Sequence, residues 1–192
     1  MTNTEIILDK VAKAQKGLFN LELTEDILLN GYSIKKYRTT DWTGLYNPDG
    51  KVMTVDDPAY ITEYATALLD MNFNSILIGG LGLGVIPYVV QDFAQVDVVE
   101  IDQDIIDIVN QLAILNTNVN IINGDIFTFT TEKTYDVVLL DALYEPLTVE
   151  LSDQLIQKYL PLVNEGGFLY IPINARSLDD KVKIYPAPIV TP

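Results

Sequence analysis

Residues 75–84 read Ser-Ile-Leu-Ile-Gly-Gly-Leu-Gly-Leu-Gly, an apolar run that leads directly into glycines at alternate positions, Gly80, Gly82 and Gly84. A short apolar run of this kind predicts a buried β-strand. A glycine-rich turn after such a strand lets the backbone approach a ligand without a side chain in between, although it can equally serve only to pack a helix on the strand. The dinucleotide fingerprint G-x-G-x-x-G does not fit, because its third glycine would fall on Val85.

The pattern of strand and helix continues beyond this stretch. Strands are predicted at residues 75–79, 96–101, 118–122, 135–140 and 168–173, and helices at 57–70, 84–93, 103–115 and 148–163. Pro87 must lie in the first turn of its helix, and Glu165-Gly166-Gly167 is expected to end the last one. Because continuous apolar strands alternate with helices, we predict a Rossmann-like α/β fold, with a mostly parallel sheet and helices on both faces.

A smaller unit precedes this alternation. Residues 4–17 have helical spacing up to Gly17, and residues 26–56 predict a small antiparallel sheet with a turn at Asn47-Pro48-Asp49-Gly50. We therefore predict an N-terminal helix and small sheet over 1–56 and a Rossmann-like domain over 57–192, in one compact unit. A short strand at 181–185 before Pro186 predicts a sheet edge and a shortened C-terminus.

Composition excludes several kinds of chemistry. The chain has 192 residues, 48% of them hydrophobic and 20% charged, which is typical of one globular domain. It contains neither cysteine nor histidine, so disulfides, thiolate zinc sites and Ser-His-Asp catalysis are excluded, and no metal site is predicted. Any catalysis must rely on carboxylates, tyrosines, lysines, backbone amides or positioning.

The charge balance bears on partners and location. With 27 acidic and 12 basic residues the net charge is −15, which disfavours nucleic acid and favours a neutral or cationic small molecule, unless the charge serves only solubility. No apolar run approaches the ~18 residues of a membrane span, and the N-terminus lacks the positive region of a signal peptide. We therefore expect a cytoplasmic protein without a membrane partner.

Acidic side chains follow three of the predicted strands, where the ends of parallel strands meet in one crevice. Glu100 is placed to accept hydrogen bonds from two ribose hydroxyls, and Asp125 to accept the exocyclic amine of an adenine. Asp141 is placed to orient an incoming amine or accept its proton, with Tyr144 and Glu145 lining the same region. The simpler alternatives are a solvated acid for Glu100, a turn for Asp125 and a helix cap for Asp141.

Together, the alternating glycines and these acids resemble the family of spermidine synthases and spermidine-synthase-like class I S-adenosylmethionine-dependent methyltransferases over roughly residues 50–173. The resemblance implies that Glu100 binds ribose, that Asp125 contacts adenine and that Asp141 begins the catalytic loop. It also implies S-adenosylmethionine, or its decarboxylated form, as the cofactor.

The sequence departs from the aminopropyltransferase pattern at the acceptor end of the site. Those enzymes read G-G-G-D-G-G in the first loop, where this chain has Gly82 in place of the aspartate. Their D-S-S-D-P loop corresponds to a loop one residue longer, Asp141-Ala142-Leu143-Tyr144-Glu145-Pro146. Before the core, those enzymes have a tyrosine followed closely by a histidine or glutamine. Here Tyr60 lies one position out of register with that tyrosine, and Thr62 stands in place of the histidine or glutamine. The nucleoside end of the pattern is intact, and the acceptor end is altered.

Methyl transfer to a small molecule is the leading hypothesis. Asp141 or Glu145 would position the acceptor, and Tyr144 would pack on the sulfonium by cation–π attraction. The alternatives are aminopropyl transfer, a non-catalytic nucleoside-binding or assembly protein, and cleavage of the cofactor itself. The N-terminal third of the chain is rich in tyrosine, with Tyr32, Tyr37, Tyr46, Tyr60 and Tyr64. These side chains could form a homo-oligomer surface, a substrate lid or the domain's own packing, and we favour the last.

Overall fold

Two sheets and the helices around them make up the described part of the chain. The computed structural model describes residues 2–14, 26–38, 40, 42–56, 68, 73–141, 148–172 and 182–185. The antiparallel sheet, called the small sheet below, consists of β1 (Ile27–Leu29), β2 (Tyr32–Lys36), β3 (Thr43–Tyr46) and β4 (Val52–Val55). The large sheet consists of β5 (Ser75–Gly79), β6 (Gln95–Glu100), β7 (Val119–Asn123), β8 (Tyr135–Leu140), β9 (Val163–Pro172) and β10 (Val182–Tyr185). The helices are α1 (Asn3–Ala14), α2 (Val85–Val90), α3 (Gln103–Asn110) and α4 (Val149–Tyr159), the last followed by a 3-10 turn, Leu160–Leu162.

The large sheet has the strand order β10-β9-β8-β5-β6-β7, and every described pairing in it is parallel. From β5 the chain proceeds to β7 in one direction along the sheet, and from β8 to β10 in the other. The order therefore reverses between β5 and β8. In open α/β sheets, the crevice outside the strand ends at such a switch point is where ligands bind.

Both faces of the large sheet are covered, as predicted. Successive side chains of a strand point to opposite faces, so Ile76 and Ile78 enter one buried cluster and Leu77 enters the other. The first cluster contains the apolar sides of α2 and α3, and the second contains Leu155 and Tyr159 of α4.

The small sheet packs on the α2–α3 face, because Ile34 and Leu45 are fully buried in the same cluster as those helices. Its first hairpin turns at Asn30 (φ 49°) and Gly31 (φ 89°), the left-handed pair that suits a two-residue hairpin. The predicted turn after β3 is confirmed, since the Gly50 N–H donates to the Asn47 carbonyl at 2.9 Å.

Two helices are shorter than predicted. Helix α2 covers residues 85–90 rather than 84–93, with Pro87 in its first turn, and α3 ends at Asn110 rather than at residue 115. The apolar pattern continues past α3 because Leu112 is still buried in the core. The backbone itself leaves the helix, since Ala113 is left-handed with φ 52°.

The end of the last predicted helix is wrong. Helix α4 and its 3-10 turn end at Leu162, and β9 begins at once, so Glu165-Gly166-Gly167 lies inside a strand. Glycine is needed at 167 because the chain passes close to β8: a Cβ there would lie 2.3 Å from the Asp136 carbonyl oxygen. The pairing of β8 with β9 is irregular at this point.

The remaining predictions concern the edge strand, the helix after residue 56, the domain boundary and membrane-spanning helices. The edge strand is confirmed as β10, the last strand of the sheet order. The helix predicted from Asp57-Pro58 to residue 70 lies outside the described residues except for Leu68, as does the Gly17 stop. The division at residue 56 stays a prediction. Within the described ranges, no helix combines the length and apolar character needed to cross a bilayer.

Candidate functional site

The turn between β5 and α2, residues 79–84, is called the glycine turn here. Its alternate residues all have positive φ angles, 98° at Gly80, 52° at Gly82 and 77° at Gly84. Side chains disfavour this backbone region, so glycine is the residue type that the turn requires. Gly84 directly precedes α2 and is also crowded, because a Cβ there would lie 3.2 Å from Val109 Cγ1.

Glu100 holds the glycine turn to the end of β6. Its Oε2 accepts a hydrogen bond from the Leu81 N–H at 2.9 Å, and its Oε1 accepts one from the Asp102 N–H at 3.0 Å. The carboxylate is nearly buried, with 7% of the residue exposed. A carboxylate has about four acceptor positions, so these two amides leave further capacity on both oxygens.

Asp125 lies beside this arrangement, just after β7. The Gly124 N–H donates to the Glu100 carbonyl at 2.9 Å, which places the two strand ends together. The half-buried Asp125 carboxylate accepts from the Phe127 N–H at 2.8 Å, so it shapes its own turn. The turn suggested as the simpler reading of Asp125 is therefore present, and it brings the carboxylate to the same edge of the sheet as Glu100.

Asp141 borders the glycine turn on the opposite side from Glu100. Its N–H donates to the Gly79 carbonyl at 2.7 Å, a bond that crosses the switch point between β8 and β5. Asp141 is half-buried at the carboxyl end of β8. Tyr144 and Glu145 lie outside the described residues.

Two apolar side chains at this edge were missed by the sequence analysis. Ile101, directly after Glu100, is 67% exposed, and Phe127, two residues after Asp125, is 38% exposed. Ile101 is apolar like the nearby buried Val98 and Val99, and its residue type alone does not indicate exposure. The only signal was their position one residue after Glu100 and two residues after Asp125.

The small sheet also reaches this edge. The Tyr32 hydroxyl donates to the Asp102 carboxylate, and the Asn30 amide donates to Asp104 Oδ1 at 2.6 Å. The hydrogen bond to Asp102, together with partial burial, raises the pKa of Tyr32 to about 12, so this hydroxyl stays protonated. From β4, Thr54 Cγ2 lies 3.5 Å from the position a Cβ would take at Gly82.

Solved structures share this architecture. The N-methyltransferase NodS from Bradyrhizobium japonicum WM9 aligns at a TM-score of 0.50 with 18% identity, over 59% of this chain and 68% of its own. The structure of NodS in complex with S-adenosyl-L-homocysteine aligns at 0.50 with 16% identity, over 58% of each chain. The glycopeptide N-methyltransferase MtfA aligns at 0.48 with 17% identity, over 58% of this chain and 50% of its own.

The chain thus spans about half the length of MtfA and 58% of the NodS chain solved with S-adenosyl-L-homocysteine. No protein-family profile and no curated protein sequence matches it. The strand order of the large sheet and the NodS alignments indicate the same fold. The chain has the fold of class I methyltransferases.

Proposed function

We propose that this protein transfers a methyl group from S-adenosylmethionine to a small molecule. The observation that carries the proposal is the contact between Glu100 and the glycine turn at the switch point of the sheet. The chain shares its fold with N-methyltransferases, and one of these, NodS, has been solved with S-adenosyl-L-homocysteine.

The described side chains fit an adenosine at this edge. The remaining acceptor positions of Glu100 suit the two ribose hydroxyls. Exposed apolar surface at Ile101 and Phe127 suits the faces of a purine, and Asp125, at the same edge of the sheet, would accept the exocyclic amine. The glycine turn places backbone rather than side chains against the rest of the ligand.

S-adenosylmethionine supplies a methyl group already activated on a sulfonium. The protein's task is then to hold the acceptor in line with that group, which needs neither histidine nor metal. Asp141, across the glycine turn from Glu100, would orient an acceptor amine and take up its proton. Tyr144 and Glu145 follow Asp141 in the sequence and are proposed to line the acceptor side. A net charge of −15 favours a cationic acceptor.

Aminopropyl transfer, the spermidine-synthase-like reading, is a second candidate. It is favoured by the small antiparallel sheet, which lies before the Rossmann-like unit and brings Thr54 Cγ2 within 3.5 Å of the position that a Cβ would take at Gly82. The glycine at 82 weakens it, because the corresponding acid is missing.

Calorimetric titration with S-adenosylmethionine, its decarboxylated form and 5′-methylthioadenosine tests both candidates. We expect the intact cofactor to bind most tightly and Glu100→Gln to weaken it about tenfold, since hydrogen bonds to a charged group contribute roughly 1.5–3 kcal/mol. Glu165→Gln, an exposed change of the same type on β9, is the matched control and should bind like wild type.

Each outcome of the titration has a clear meaning. Tighter binding of the decarboxylated form would replace methyl transfer by aminopropyl transfer. Failure of all three compounds to bind the folded wild type would refute both candidates. Binding by Glu100→Gln equal to wild type would place the nucleoside elsewhere.

A further inference from the structure

A continuous series of hydrogen bonds joins the small sheet to the glycine turn. The Tyr32 hydroxyl of β2 donates to Asp102 Oδ2. The Asp102 N–H donates to Glu100 Oε1 at 3.0 Å, and Glu100 Oε2 accepts from the Leu81 N–H at 2.9 Å. Tyr32 thus belongs to the same network as the acid assigned to ribose, although it is 68 positions away in sequence (100 − 32).

Asp102 is the junction of this series. Its other oxygen, Oδ1, accepts from the Asp104 N–H at 2.9 Å and so caps α3. The residue therefore fixes both the start of α3 and the end of β6, where Glu100 and Ile101 lie. One side-chain donor, Tyr32, and one backbone donor, Asp104, thus anchor the residue whose own N–H donates to Glu100.

We propose that Tyr32 is a positioning residue that aligns the Glu100 carboxylate for the ribose hydroxyls by holding Asp102. The inference rests on the proposed nucleoside-binding function and extends the site into the small sheet. Glu100 is nearly buried and has few ways to adjust its position, so an error in the Asp102 turn is passed on to the hydroxyl contacts.

The protein offers a matched control for this role. A second hydrogen bond joins the same hairpin to the same helix, from Asn30 to Asp104, but it bypasses Glu100. Asn30 has φ 49°, which glycine adopts without strain, so Asn30→Gly removes only the side-chain contact. Tyr32→Phe removes only the hydroxyl and keeps the ring packed.

The test compares two ligands that differ at the ribose, 5′-methylthioadenosine and its 2′,3′-dideoxy analogue, called the deoxy analogue below, which lacks both of the hydroxyls assigned to Glu100. A residue that acts through Glu100 affects only the ligand whose hydroxyl Glu100 binds, whereas a general loss of structure weakens both. We expect Tyr32→Phe to weaken binding of methylthioadenosine about fivefold and to leave the deoxy analogue unchanged, in line with the modest net value of one hydrogen bond. Asn30→Gly should bind both ligands like wild type.

The double variant Tyr32→Phe/Glu100→Gln gives an independent measurement. Since both residues act through one contact, we expect the double variant to bind no more weakly than Glu100→Gln alone. Equal weakening of both ligands by Tyr32→Phe, no weakening of either, or additive losses in the double variant would each overturn the positioning role. If wild type and Tyr32→Phe bind methylthioadenosine equally well, the proposed function survives and the positioning role fails. If wild type binds neither ligand, both fail.

Discussion

At the residue scale, backbone conformation and available space can be separated by comparing two glycines. Gly84 and Gly50 have nearly the same left-handed φ angle, 77° and 73°. A Cβ at Gly50 would meet nothing within 4 Å, whereas at Gly84 it would meet Val109 at 3.2 Å. The two positions therefore share the conformational requirement and differ in packing.

Alanine at these positions should reveal that difference. We expect Gly50→Ala to lower the free energy of unfolding by about 1 kcal/mol, the cost of a left-handed alanine. Gly84→Ala should lower it by about 2–3 kcal/mol, because overpacking against Val109 is added. Urea unfolding of both variants would measure this, and equal losses would show that the core around Val109 adjusts freely.

Another residue-scale contact, from Tyr32 to Asp102, shows where sequence reasoning about the site ends. Glu100 was predicted because it ends an apolar strand after a glycine turn, a pattern contained in local sequence. The partner of Asp102 lies 70 residues away, and no local pattern pairs a tyrosine in a hairpin with a distant helix cap. The side chains that complete the site come from packing between the sheets.

At the scale of elements, β6 carries a buried acid at its centre. Asp97 is 7% exposed and accepts hydrogen bonds from Lys133 at 2.8 Å, Tyr135 at 2.8 Å and Asn120 at 2.7 Å. Burial alone raises the pKa of Asp97, but the hydrogen bonds from Lys133, Asn120 and Tyr135 together lower it below its ordinary value. The ionised form therefore holds β6 to the segments around β7 and β8.

This lowered pKa gives Asp97 a pH-dependent contribution to stability. The folded-state pKa lies below the unfolded one, so the contribution is full above the unfolded value of about 4 and is lost as the pH falls through the folded pKa. We expect Asp97→Asn to lower the free energy of unfolding by about 1–3 kcal/mol at neutral pH. The difference from wild type should shrink towards pH ~3.

Denaturant unfolding at several pH values checks this expectation. Asp153→Asn, on the exposed side of α4, is the control and should differ little from wild type throughout. A difference for Asp97→Asn that stays constant with pH would mean that packing, rather than charge, dominates at this position.

Elements were predictable where their limits depend on local sequence. The apolar runs 75–79 and 135–140 became β5 and β8 without change, because turn residues bound them on both sides. The C-terminal end of α3 and the start of β9 were not predictable. Leu112 is buried although it follows the helix, and Gly167 is required by a neighbouring strand. In both cases, tertiary contacts decide the boundary.

At the scale of the whole molecule, the net charge of −15 opposes folding through repulsion among the acids. Screening by salt should reduce that repulsion. We expect the thermal midpoint to rise by a few degrees when sodium chloride increases from about 20 to about 200 mM, since the screening length then falls below about 10 Å. Chloride is preferable to sulfate, which would stabilise the protein by exclusion from its surface. An unchanged or lower midpoint would show that favourable ion pairs, such as Lys10 with Asp92, outweigh the repulsion.

The reversal of strand order at β5 also has a consequence for how the chain comes together. Pairing β5 with β6 joins Ile76 to Val96, 20 positions apart, whereas pairing β5 with β8 joins Ile76 to Val137, 61 positions apart. Closing the longer loop costs more chain entropy and makes the contact slower to form. Glu100 and Asp141, on the two sides of the glycine turn, are brought together only after this long-range closure. A ligand held by both sides binds only molecules that have completed it, and so stabilises the folded chain as a whole rather than either half of the sheet.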